Sequence, residues 1–408
     1  MLLRRTLLGP LLLVACAGPR ARETRPPVSP EPAVARGPRA VEASPVPAAP
    51  AGPAAPAAPA VSVAPASSQA PLAPPSPPPA PALGTSPGPE GVEPLAMAPG
   101  GPPLEVARRV RTGVQPKSIA LSPTGDRLYV CNFGLAGRRN VSVYDAQSLE
   151  PVGRIDFPGN AAEAAVSADG ATVYVSNFGR GLIEVVDAAS LRVTHEIAVG
   201  HNPKFMVIDE ERRLLYVSNW SSRSVSAVDL AEHRVDHTLH TGRRPRGMAL
   251  LDDGTLMVGA MWDHRVQVYA PGHERPDREF PACENPRHLV LSPDQSRLYV
   301  SCSGDWLLRW FDPHTGEVLV EAPTGRNPRT IDISADGRFV AVADFSGSTV
   351  SLVDLGSMHH RTHEVARTKQ IVGLAVAPGD ALRIFVTSWL TNELIELRPA
   401  PAAVASRA

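Results

Sequence analysis

The chain has 408 residues, with 40 Lys and Arg against 41 Asp and Glu and a formal net charge of −1. A balance this close to zero excludes a protein that holds nucleic acid or an anionic membrane through its overall field, so electrostatic recognition must come from local patches. Most of the 44 prolines crowd ahead of residue 104, which leaves roughly 300 residues of ordinary composition, enough for one large core.

At the N-terminus, Arg4 and Arg5 precede a short apolar run from Leu7 to Val14. The run is too short to cross a bilayer as a helix, which takes about 20 apolar residues, and it fits a secretory signal peptide over residues 1–15. It ends in Leu13-Val14-Ala15-Cys16, which resembles the bacterial lipobox. The resemblance implies cleavage before Cys16, a lipid on that cysteine, and anchorage in a bacterial cell envelope, periplasmic or at the outer-membrane surface. Residues 16–103 then lack any apolar period. Runs such as Pro77-Pro78-Pro79 cannot nucleate helix or sheet, so this stretch is expected to be a disordered Pro/Ala-rich stalk.

From residue 104 one unit recurs. Leu128-Tyr129-Val130-Cys131-Asn132, Val173-Tyr174-Val175-Ser176-Asn177, Leu215-Tyr216-Val217-Ser218-Asn219 and Leu298-Tyr299-Val300-Ser301-Cys302 are near copies. Weaker copies stand at residues 256–260, 340–344 and 384–388. Upstream of most is a proline followed by a base: Pro116-Lys117, Pro203-Lys204, Pro245-Arg246, Pro286-Arg287 and Pro328-Arg329. Polar turns such as Ala168-Asp169-Gly170 separate short β-branched strands, and a third strand ends in Asp, as in Val185-Val186-Asp187. Seven copies at this spacing predict an all-β, seven-bladed β-propeller of four-stranded blades over residues 104–400. The strand at 104–112 precedes the first copy and the last copy stops after its third strand. Pairing the two closes the ring and removes its edges. Residues 401–408 are expected to be a disordered tail.

The Leu-Tyr-Val-Ser-Asn strand, with Gly-x-x-Pro upstream and Val-Val-Asp downstream, resembles the YVTN-type propeller repeat. That family includes bacterial periplasmic and surface-layer proteins, with propeller lactonases as more distant kin. The resemblance speaks for fold and says little about activity, because a superfold hosts many functions.

Propeller geometry places the residue after each proline at the mouth of the central channel. The expected ring is Lys117, Glu163, Lys204, Arg246, Arg287, Arg329 and Val372, five of them basic. Around it should lie Asn132, Asn177 and Asn219, and the aromatics Phe133, Phe178, Trp220, Trp262, Phe345 and Trp389. A basic funnel with an amide and aromatic collar suits an anionic ligand, with guanidinium groups gripping oxyanions and rings offering stacking surface. Cys283 stands where other blades open with Gly, and Cys302 ends the neighbouring antiparallel strand, so a disulfide between them is expected. Cys131 should be a buried thiol. The histidines show no zinc spacing, and GxSxG, P-loop, HExxH and CxxCH motifs are absent from the propeller stretch 104–400, so neither a metal nor another cofactor is expected. The best acid/base set on this face is His201, Asp263, His264 and Asp305. The leading expectation is a monomeric, lipid-anchored binding or scaffolding head for a protein, glycan or small anion. The alternatives are a lactonase-like hydrolase and a polyanion or single-stranded nucleic-acid binder; near-zero charge weighs against nucleic acid.

Overall fold

The computed structural model describes residues 95–134 and 136–401, all within the compact unit Ala80–Ala408. Cys16, the signal peptide, most of the stalk and the tail beyond residue 401 lie outside the described residues.

Seven antiparallel sheets form a β-propeller. Blade one holds Pro116–Leu121, Arg127–Asn132, Val141–Asp145 and Pro151–Ile155 from channel to rim, and the next five blades repeat the pattern. Blade seven takes its three inner strands, Ile371–Val376, Ile384–Ser388 and Glu393–Pro399, from the end of the chain and its outer strand, Leu104–Arg111, from the beginning. The helical content among the described residues is a single 3-10 turn, Met261–Asp263.

The repeated Tyr-Val pair explains why the blades stack. Side chains alternate between the two faces of a strand. Tyr129 therefore enters the seam between blades one and two, while Val130 enters the seam between blades seven and one. Tyr174 and Val175, Tyr216 and Val217, and Tyr299 and Val300 divide in the same way. The core is thus seven inter-blade seams, each filled from both sides.

The serine of the repeat has a separate task. Each inner strand carries a bulge just after its first residue, which breaks the ladder there. The N–H groups left over in blades two, three, five and seven donate to Ser176, Ser218, Ser301 and Thr387 at 2.9–3.0 Å.

Two features add to the expected frame. Leu95–Ala96 and Ala98–Pro99, which the sequence assigns to the stalk, pair in parallel with the outer strands of blades five and six. Met97 between them is buried in the seam of those blades. Second, ring closure is charged as well as hydrogen-bonded. Glu396, with a fully buried side chain, receives Arg108 at 2.8 Å from the N-terminal strand and Arg383 at 2.7 Å and Arg398 at 2.6 Å from the last blade.

Candidate functional site

The register of the inner strands defines the channel mouth. Pro116 lies opposite Asn132, Pro203 opposite Asn219 and Ala161 opposite Asn177. Ala162, not Glu163, is therefore the counterpart of Lys117, and the expected ring is corrected by one residue in blade two. The mouth carries Lys117, Ala162, Lys204, Arg246, Arg287, Arg329 and Val372. The next ring inward carries Ser118, Glu163, Phe205, Gly247, His288, Thr330 and Gly373. Blade two lacks the proline that marks the frame elsewhere, which is why the sequence misaligned it.

The five bases do converge. Burial lowers the proton affinity of Lys117, Lys204, Arg287 and Arg329, and the charge of Arg246 then lowers each of them further. Arg246 is itself buried, with its own affinity lowered by burial. Lys117 donates to Glu163 Oε2 at 2.9 Å and to the Ala162 carbonyl at 2.8 Å. Burial pushes Lys204 down to about 4, with Arg246, Lys117 and Arg287 adding to it. The Trp220 face 3.6 Å from its Nζ favours the ammonium and works against that shift. Arg329 falls to about 9 through burial and Arg246. The guanidinium groups keep their protons regardless, because arginine does not deprotonate in proteins.

The collar differs from the expected stacking surface. Phe133 packs edge-on to Phe178 at 5.3 Å and against Trp389 at 5.9 Å. The other rings each carry a cation over one face, with Trp262 and Trp306 still exposed. Arg244 lies 5.2 Å from Trp220 and 4.7 Å from Trp262, and Arg329 lies 3.2 Å from Phe345. Arg326 covers Trp306 at 5.2 Å, a pair the sequence reading passed over. Arg244 was missed as well. It precedes Pro245 with a left-handed φ of 56°, the conformation shared by Gln115, Asn202, Asn285, Asn327 and Gln370 at the same place in their blades.

Asn132, Asn177 and Asn219 are not part of the open funnel. All three are buried and bridge strands of their own blades, Asn132 to Ser142 at 3.0 Å, Asn177 to Glu184 at 2.7 Å and Asn219 to Ser226 at 2.9 Å. Each also explains the glycine upstream. A Cβ on Gly113 or Gly200 would come within 2.5 or 2.6 Å of the asparagine side chain. In blade five both partners of this Gly–Asn contact are cysteines, and Cys283 and Cys302 are disulfide-bonded across a Cα separation of 5.6 Å. Cys131 is a buried thiol that burial pushes up to about 12.

The acid/base candidates are engaged by other groups, although His264 and Asp305 accept from consecutive backbone amides. Asp263 is held by Arg243, whose Nε donates at 2.6 Å. His264 Nδ1 accepts from the Asn285 N–H at 3.1 Å, and Asp305 accepts from the Glu284 N–H at 2.9 Å. His201 is exposed, and its backbone N–H donates to Ser222. Among the described residues the one group with metal-site spacing is Cys283, Cys302 and Asp305, and the disulfide uses two of its three members.

Below the mouth the channel widens into a cavity of about 450 Å³ lined by Glu163, Phe205, His288, Thr330, Asp332 and aliphatic side chains. Burial raises Asp332 to about 6, but both its oxygens already accept backbone N–H groups, from Ile333 at 2.9 Å and Val376 at 2.8 Å. His288 is the unexpected member. Its Nδ1 accepts from the Ile331 N–H at 3.1 Å while its Nε2 is buried with no partner.

Fold and funnel together define a seven-bladed β-propeller with a cationic channel mouth. A family model described as "Lactonase, 7-bladed beta-propeller" matches residues 136–235, from ahead of the third strand of blade one to the start of the outer strand of blade three. Among solved structures, the hydrazine synthase of Kuenenia stuttgartiensis is similar, with a TM-score of 0.63, 18% identity, and coverage of 72% of this chain and 99% of that chain. A search of curated proteins finds no match. At this identity the likeness is one of fold, and the propeller fold does not select an activity.

Proposed function

We propose that this chain is a YVTN-type propeller acting as a binding head, held in a bacterial envelope through a lipid on Cys16, that takes an anionic group into its channel mouth. The observation that carries the reading is the ring of Lys117, Lys204, Arg246, Arg287 and Arg329 around one channel, faced by a carboxylate, Glu163, that Lys117 already engages. Like charges held this close repel unless something neutralises them. Packing supplies no reason for a fold to gather them, since the aliphatic Val372 occupies the same register in blade seven. His264 and Asp305 lie close together, accepting from the adjacent Asn285 and Glu284 N–H groups, but these bonds and the Arg243–Asp263 pair already engage the three groups, so the reading is binding rather than hydrolysis.

The test is native mass spectrometry of the full chain purified gently from an envelope fraction, beside the triple variant Arg246→Ala, Arg287→Ala, Arg329→Ala. An adduct or partner retained by the parent chain and lost by the variant supports the funnel. One retained equally by both places the site elsewhere. Cys16→Ser tests the anchor separately, and it should move the chain from the membrane to the soluble fraction.

A further inference from the structure

We infer that the funnel's ligand is a small oxyanion with at least two negative charges, gripped by the Arg246, Arg287 and Arg329 guanidinium groups with the His288 ring N–H as a further donor. This rests on the binding reading above and narrows it to a ligand class.

The first argument is an inventory of donors. Arg287 Nε and Arg329 Nε are buried and reach no acceptor among the described residues. In His288 the Nδ1 accepts a backbone N–H, so the neutral ring carries its proton on Nε2 and presents a third unpaired buried donor. A folded chain leaves few such groups unmade, because an unpaired buried donor costs more than a hydrogen bond gains. Three of them in one channel ask for a ligand that accepts and does not donate. Paired oxygens also match the planar fork of arginine.

The second argument is charge. Arg246, Arg287 and Arg329 keep their protons, and the field of Arg246 reaches both of the others. Glu163 pairs with Lys117 and offsets that one charge, although its field also reaches Arg246 and Arg287. One negative charge would leave two of these three cations uncompensated, so the complement carries at least two.

The third argument separates a small anion from a nucleic-acid strand. A strand binder needs open aromatic faces for its bases. Here Lys204, Arg244, Arg326 and Arg329 lie over one face of Trp220, Trp262, Trp306 and Phe345, and of these rings Trp262 and Trp306 remain exposed. These rings support the cations, and recognition falls to charge and hydrogen bonding. The channel cavity of about 450 Å³, lined by His288 and Glu163 and by none of the five bases, is of small-molecule size.

The test is isothermal titration of the full chain at low ionic strength with inorganic phosphate, citrate, acetate and chloride. The inference expects one site per chain for phosphate or citrate, with acetate and chloride at least tenfold weaker. The stronger of the first two identifies the source as a phosphate or a polycarboxylate. Arg287→Gln and Arg329→Gln should each weaken that binding at least tenfold. Glu163→Gln should tighten it severalfold by removing the carboxylate that faces the mouth, a gain that a folding defect cannot produce. Acetate binding as well as citrate and phosphate overturns the inference, as does Glu163→Gln weakening the site. Arginine-dependent binding of an acidic peptide with none of the small anions overturns it while leaving the funnel reading standing. If neither the small anions nor the peptide binds in an arginine-dependent way, both fall.

Discussion

Ring closure rests on a carboxylate whose removal has a calculable cost. Glu396 has no exposed side-chain surface and is met by Arg383, Arg108 and Arg398 with side-chain exposures of 11%, 34% and 42%. Glu396→Gln keeps the shape and removes the charge. Arg108 and Arg398 can return to water, so each loses less than about 1 kcal/mol. Arg383 cannot, and breaking a buried pair costs roughly 3 kcal/mol or more. A domain of this size loses about 2 °C of Tm per kcal/mol, so the variant should melt about 6 °C lower at neutral pH in a calorimetric scan at fixed rate. Arg398→Ala should cost no more than about 2 °C. The pH dependence adds a second constraint. Burial alone would raise the Glu396 carboxyl, but hydrogen bonds from Arg383 and Arg398 outweigh it and hold the group below its ordinary 4.5. A carboxyl depressed in the folded state contributes stability that is present above that value and lost as pH falls through the folded one. The gap between parent and variant should therefore hold from neutral pH down to about 4.5 and narrow as pH falls further. An unchanged Tm, or a gap that stays constant into acid, would refute the account of closure.

Two further outcomes follow from buried titrating groups. Asp344 stands in blade six where other blades have Asn132, Asn177 and Asn219. Its Oδ1 is buried without a partner, and burial raises it to about 7. The folded state then holds a proton that the unfolded state has released, so stability falls as pH rises from about 4 through 7. Asp344→Asn should remove that slope and gain roughly 1 kcal/mol or more at pH 8, read as a Tm difference that widens from pH 5 to pH 8; a difference independent of pH would count against it. His363 Nδ1 accepts the Leu104 N–H at 3.2 Å where the chain enters blade seven, and burial pushes the ring down to about 4. Its contribution is complete above 6.5 and lost as pH falls toward 4. Leu104 should thus lose hydrogen-exchange protection at pH 5 relative to pH 7, after correction for intrinsic rates, while Val110 does not; equal behaviour of the two amides would sink the idea.

The fold was legible because the propeller is periodic at two levels. Tyr-Val alternation within a strand assigns each side chain to a seam, and the repeat of that alternation counts the seams. Met97 and the pairs beside it were not legible. A two-residue parallel pairing has no period, and the prolines around it read as stalk. The seam that accepts Met97 is contributed by residues more than 200 positions away, Tyr299, Trp310 and Val353 among them.

The site divides along the same line. The five bases were visible because a proline marks their register, and the register failed at Glu163, where blade two has no proline. The asparagines were misread for a general reason: a repeat sets the same residue at the same place both for packing and for display, and sequence alone does not separate the two. Partners separate them. The amide N–H groups of Asn132, Asn177 and Asn219 find acceptors in their own blades, whereas Arg287 Nε, Arg329 Nε and His288 Nε2 find none. His288 shares its register with Ser118, Glu163, Phe205, Gly247, Thr330 and Gly373, so no repeat pattern could have singled it out. The register holds six residue types in seven blades, and close approach fixes only its two glycines, where a Cβ on Gly247 or Gly373 would lie 2.7 Å from His288 or Thr387. The other five positions vary where the Tyr-Val strand beside them is uniform, and it is on that variation that the proposed anion site draws.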